Sequence, residues 1–368
     1  MRKENILYNI AISIIPNVGP LLTKRLIAYA GGIEAVFKEK KNSLLKVPGI
    51  GELIVKGIIN TELFEKAEKE LDFIEKNNIR LLNFLDDDYP ERLKQCEDCP
   101  INIYIKGDTD LNASKMISVV GTRNATNYGM EKCESLIKEL SNLNHKVTIV
   151  SGLAFGIDIC AHIEALKNKQ ETIAVLGHGI NLCYPSLHKN YFDQIAENGC
   201  VISEFLHDET PERGNFVSRN RIIAGLCDAT IVVESGTKGG ALITAGMANS
   251  YHREVFAFPG RTSDTYSKGC NKLIKNNEAA LIENADDLIK NMMWEENAPQ
   301  HRQTSLFIDL SSEEQSIMEC LSGTDEMYID KICLDTGLAV QKVSSHLLNM
   351  EFNGLIKSLP GKMYKVVR

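Results

Sequence analysis

The sequence predicts an α/β protein: a mainly parallel sheet covered by helices on both faces, with a small helical domain before it and a winged helix after it. Three observations carry that expectation. From residue 112 onward, short β-branched runs alternate with helical stretches. Ahead of them, two glycine-containing turns each lead into an apolar helix, and behind them three short helical segments precede a hairpin.

The length, 368 residues with 43% hydrophobic content, fits two or three globular domains. We place them at 1–80 (helical), 81–295 (sheet core), 296–308 (linker) and 309–368 (winged helix). No window approaches the ~18 consecutive apolar residues of a membrane span, and the polar, proline-broken start does not read as a signal peptide. The expectation is a cytoplasmic protein. Most of the ten cysteines, Cys160, Cys183, Cys227 and Cys320 among them, sit in apolar segments and read as reduced thiols. Cys96 and Cys99 have the spacing of half a zinc site, but no second half answers them, so neither metal nor other cofactor is expected. A formal net charge of −8 argues against adhesion to nucleic acid through bulk charge. Any such site must be a local cluster.

The N-terminal stretches IPNVGPLLTKRLIAYAGG and LKVPGIGELIVKGI resemble helix-hairpin-helix elements. Turn amides there could meet a phosphate, or the glycines could simply supply positive φ for a tight αα turn. The polar helix TELFEKAEKELDFIEKNNI then leads toward the core. MISVVG, KVTIVSG, TIAVLG, CVISEF, ATIVVES, EVFAFPG and AALIEN are the predicted strands, linked by helices such as YGMEKCESLIKELSNL. That alternation means βαβ crossovers, and ligands of such sheets sit beyond the carboxyl ends of the strands. After MMWEENAPQHRQTSLFIDL, three helices and the hairpin IKSLPGKMYKVV read as a winged helix. Lys342 is the one clear cation on its recognition segment and Glu351 opposes it, which favours a partner-binding role over DNA reading.

Chemistry is therefore sought at the strand ends GTRNATNYG, SGLAFGID, GHGINLCYP and SGTKGGALITA. Each puts glycine where a strand turns into a helix, so that bare amides can face an anion. The chain lacks a P-loop ending and a full dinucleotide fingerprint, and Ser151 stands where an acidic residue would hold a ribose. Arg123 directly follows the first core strand, placed either to grip phosphate or to tie down a neighbouring carbonyl. Arg219 and Arg221 lie two positions apart, so on a helix they point roughly 200° apart and cannot share a face. Phe216 beside them is either core or a platform for an unstacked base. Asp158 and His162 share a helical face and read as a cap and its partner, with no order of nucleophile, base and orienter legible.

Taken in order, GTRNATNYG, SGLAFGIDICAH, IAVLGHGINLCYP, ISEF, NFVSRNRIIAGLCDATIVVES, GGALITAGMA and VFAFPG resemble the DNA processing protein A family (DprA, also called Smf). The resemblance implies a Rossmann-like core between a SAM or helix-hairpin-helix-like domain and a winged helix. It also implies a homodimeric, non-enzymatic mediator that binds single-stranded DNA during natural transformation and helps load the RecA recombinase. By motif position the implied DNA contacts begin with Gly121, Thr122 and Arg123, then Ser151, Gly152 and Gly156 in the second turn. Arg213, Phe216, Arg219, Asn220 and Arg221 follow in the aromatic-plus-RNR segment. Lys238, Gly240 and Thr244 complete the set, with Asp158 and His162 structural at the site. The chain departs from the family pattern at Thr122, where serine is common, and at Val217, where proline is common.

Two rival readings come from other classes. SGTKGGALITA superficially resembles the motif of phosphoribohydrolases, but Leu242, Ile243 and Thr244 stand where that family needs a glutamate for acid/base work. In the other rival, an adaptor works chiefly through the winged helix.

Overall fold

The computed structural model describes residues 3–143, 145–294, 310–322, 326–352, 355–359 and 361–366; the expected linker, 296–308, lies outside the described residues. The chain divides into two compact units, Met1–Trp294 and Glu295–Arg368.

The predicted β-branched runs form strands β3 (Met116–Val120), β4 (Thr148–Ser151), β5 (Thr172–Val175), β6 (Cys200–Ser203), β7 (Ala229–Val232), β8 (Glu254–Ala257) and β9 (Ala280–Leu281). They pair in parallel throughout, and every residue of β3 to β7 is buried, as helices on both faces require. Side chains alternate across the sheet. Ile117 and Val119 pack under the helices Asn127–Asn142 and Ile157–Lys167, whereas Met116 and Val120 belong to the core beneath Arg213–Leu226 and Gly240–Ser250.

Two strands were not expected: β1 (Arg80–Asn83) and β2 (Asn102–Gly107), which extend the sheet antiparallel beyond β6. The full order is β1-β2-β6-β5-β4-β3-β7-β8-β9. The core strands reverse direction of progression at β3, with β4 on one side and β7 on the other, so the ligand crevice of such a sheet opens above β3, β4 and β7.

The N-terminal helices include Lys3–Ser13, Pro20–Ala30 and Glu62–Asn77. Pro20 opens its helix at the one place where a missing N–H costs nothing. Their apolar faces close on the sheet layer: Ile10, Leu26 and Val55 share one core with Tyr104, Leu176 and Val201. The polar helix Glu62–Asn77 buries Glu70, whose carboxylate accepts the His207 amide at 3.1 Å and meets His207 Nδ1 at 2.6 Å, while Phe73 stacks on that ring. Burial pushes the Glu70 carboxyl up from its ordinary range.

The second unit is a winged helix. Helices Ser312–Ser322, Ile329–Thr336 and Val340–Phe352 enclose Ile317, Leu321, Ile332, Val343, Leu347 and Met350. Strands β10 (Met327–Tyr328), β11 (Ile356–Leu359) and β12 (Met363–Val366) form its sheet in the order β10-β12-β11. Among the described residues, no helix is long and apolar enough to cross a membrane.

Candidate functional site

Three strand-to-helix turns meet above β3, and their fates differ. The turn after β3 is pinned by buried Glu234, whose carboxylate accepts the Thr126 amide at 2.9 Å and the Thr126 hydroxyl at 2.7 Å. The Thr126 hydroxyl in turn accepts the Gly129 amide at 3.4 Å, so the helix starting at Asn127 carries its own side-chain cap. The turn after β4, residues 152–156, is pinned by Asp158, which accepts backbone hydrogen bonds from Ala154 and Gly152. Desolvation raises the Asp158 carboxyl against the pull of Arg219. Gly156 has φ +76°, and a Cβ on it would lie 2.2 Å from the Thr122 carbonyl oxygen, so only glycine lets these two turns touch. The turn after β7 stays open: helix Gly240–Ser250 begins after Gly239 with no side-chain cap. Its first amides are left for an anion.

The turns surround a cavity of about 1150 Å³. Five cations line it, Arg123, Arg213, Arg219, Lys238 and Lys272, against one carboxylate, Asp158. Arg123, Arg213, Lys238 and Lys272 are exposed and therefore able to reach a ligand. Among the described residues Arg123 ties down no carbonyl; its guanidinium lies over the Phe216 ring, 5.6 Å from the centroid. Phe216 is half-buried, set against Gly177 and tilted toward Tyr184 at 5.6 Å, so one side of the ring is already covered.

Arg219 is a different kind of arginine. It is buried, its Nη1 donates to the Gly152 carbonyl at 2.9 Å and to the Val175 carbonyl, and its Nε donates to Asn220 Oδ1. Burial lowers its pKa to about 10. It braces the floor that the turn after β4 stands on. Arg221 points the opposite way, as the helical spacing requires, and pairs with Glu204. Neither Arg221 nor Ser151 lines the cavity; the Ser151 hydroxyl donates to the Val119 carbonyl at 2.6 Å inside the sheet. Gly152 and Gly156 lie beneath the lining rather than in it.

The remaining expected residues, Gly121, Thr122, Asn220, Gly240 and Thr244, line the cavity. His162 sits below, fully buried, its Nδ1 2.7 Å from Thr172 Oγ1. That hydroxyl donates to Ile149, so His162 Nδ1 carries the proton. Burial lowers the His162 pKa to about 3 and keeps the ring neutral. Lys272 and Tyr184 escaped the sequence reading. Lys272 follows β8, where the strand-end rule points, but nothing in its local sequence marks it. Among the described residues, no three His, Cys, Asp or Glu side chains converge as a metal cage.

The fold is an open, mainly parallel α/β sheet whose switch point carries exposed cations and an uncapped helix start, an arrangement suited to an anionic ligand. The family model of DNA recombination-mediator protein A matches residues 80–293, and that of the DprA winged helix domain matches 302–362. The chain belongs to the DprA family, also called Smf. Protein Smf of Synechocystis is 33% identical over 97% of this chain and 98% of its own. DNA processing protein DprA of Streptococcus pneumoniae is 41% identical over 56% of this chain and 72% of its own. Among solved structures, DprA from Streptococcus pneumoniae superposes with a TM-score of 0.62 at 32% identity, covering 79% of this chain and 98% of that one. DprA from Helicobacter pylori superposes with a TM-score of 0.53 at 29% identity, covering 59% and 96%, and its structure describes a single-stranded DNA binding mode of that protein.

Proposed function

We propose that the switch-point cavity binds single-stranded DNA by its phosphates, and that the protein acts as a recombination mediator rather than an enzyme. The observation that carries this is the charge of the lining: five cations against one carboxylate, in a chain whose net charge is −8. Four of those cations are exposed, and the uncapped helix start at Gly240 adds backbone donors. At about 1150 Å³ the cavity exceeds the ~300–1,000 Å³ of small-molecule pockets, which suits an extended ligand. The DNA binding described for the Helicobacter pylori relative supports the same reading. Proposed contacts are Arg123, Arg213, Lys238 and the amides at Gly240, with Arg219 and Asp158 holding the floor. Loading of RecA, a homodimeric state and a role in natural transformation complete the proposal, as the family resemblance implies.

Filter binding of a short oligonucleotide across a salt series tests it. Affinity should fall with salt, the slope of log affinity against log salt decreasing by ~0.7 for each phosphate contact removed. Wild-type affinity and slope in both Arg123→Ala and Lys238→Ala would remove the cavity from the account. Steady release of adenine from AMP would instead favour the phosphoribohydrolase reading.

A further inference from the structure

We infer that Tyr184 and Phe155 form a base-stacking ledge beside the cavity, which carries the bound strand past its phosphate contacts with the bases turned toward the protein. The inference rests on the single-stranded DNA reading of the cavity and extends its footprint to residues outside the aromatic-plus-arginine segment.

Two loops build the ledge. Residues 152–156 follow β4, and residues 183–188 follow the turn after β5. His188 locks them together: it is buried, and its Nδ1 donates to the Leu153 carbonyl at 2.8 Å. Leu153 itself has φ +55°, a conformation uncommon for a branched side chain, and is fully buried. With Leu153 anchored inward, its neighbour Phe155 is held at the surface, 43% exposed, its ring edge-on to His188 at 5.0 Å. Tyr184 is 49% exposed, lines the cavity, and tilts against Phe216 with 5.6 Å between centroids. Leu187, on the same loop as Tyr184, is 79% exposed.

Exposed large apolar side chains on two loops joined by one buried bridge point to a contact site. The cavity says what kind. Cations stand at Arg123, Lys238 and Lys272, whereas the ledge presents rings. A single strand has these two faces, charged backbone and flat bases, and an aromatic platform beside a cationic groove matches both without reading sequence. Phe216 is half-covered by Arg123 and Tyr184, which makes the more open rings of Tyr184 and Phe155 the accessible platforms.

The test is an anisotropy titration of full-length protein with oligothymidylate, alongside thermal melting of each variant. Tyr184→Ala and Phe155→Ala should each weaken binding about tenfold. Tyr184→Phe and Phe155→Tyr should keep wild-type affinity. On a strand of equal length with abasic sites the alanine penalty should vanish, and the salt slope should stay at the wild-type value because no phosphate contact is lost. Equal losses on the abasic strand, or a lowered salt slope, would overturn the ledge. So would wild-type affinity in both alanine variants while Arg123→Ala still binds weakly, a result that leaves the cavity reading intact. Loss of protomer association in Tyr184→Ala at unchanged DNA affinity would give this face to a second copy of the chain and overturn the inference. If the wild-type protein binds no single strand at all, the cavity reading and the ledge fall together.

Discussion

The cavity rim and the recognition helix Val340–Phe352 are the two regions where a nucleic-acid contact would be sought, and they dispose of their positive charge in opposite ways. At the rim, Arg123, Arg213, Lys238 and Lys272 are exposed and make no ion pair among the described residues. On the recognition helix, Lys342 is held by Glu313 at 2.9 Å, and His346 lies between Glu313 and Glu314. A cation already paired within its own unit must break that pair before it can meet a phosphate. Availability of charge therefore separates the two regions, beyond the difference in its amount that the sequence already displays.

The largest effect should come from the frame that holds the rim in place. Gly156→Ala drives a Cβ to within 2.2 Å of a backbone carbonyl at a positive φ, and should cost about 3 kcal/mol in urea unfolding of the first unit. A cost below ~1 kcal/mol would mean the two turns can separate cheaply. Next, Arg123→Ala combined with Lys238→Ala should weaken oligonucleotide binding roughly 30-fold, at about 1 kcal/mol per cation, and lower the salt slope by ~1.4. That result would sharpen the contrast; an equal loss from Lys342→Ala would break it.

A third prediction concerns the floor beneath the rim. The folded-state pKa of His162 is lowered to about 3 from 6.5. Its contribution to stability is therefore complete above pH 6.5 and is lost as pH falls toward 3, at up to about 1.4 kcal/mol per pH unit. His162→Gln should remove that part of the acid sensitivity, read as the difference between the two proteins' unfolding free energies across the window. The smallest effect is expected at the winged helix: deletion of residues 302–368 should leave oligonucleotide affinity within about twofold of wild type, since the phosphate contacts proposed lie elsewhere. Lost binding on that deletion would move the interface to the second unit.

Much of this was legible in the sequence, for reasons that are local. Continuous β-branched runs such as ATIVVES mark strands buried on both faces, and β3 to β9 follow them. The opposition of Arg219 and Arg221 follows from helical geometry alone. What escaped depends on tertiary partners. β1 and β2 lie in short runs flanked by acidic, loop-like sequence, and only their antiparallel pairing defines them. That glycine turns expose amides was a fair expectation, yet two of the three are closed by Glu234 and Asp158, one arriving from another strand's end. By motif position in the family resemblance Arg219 is a ligand contact, whereas burial with two carbonyls makes it a brace. Lys272 reaches the cavity through the packing of the helix Lys268–Lys275, which no local pattern announces.

Photocrosslinking of a short single-stranded oligonucleotide to the full-length protein, followed by mapping of the labelled peptides, tests the central claim most directly. The account predicts labelled peptides containing residues 122–126, 213–220 and 237–244, competed away by added salt. Crosslinks confined to residues 340–352, with the rim unlabelled while binding persists, would contradict it.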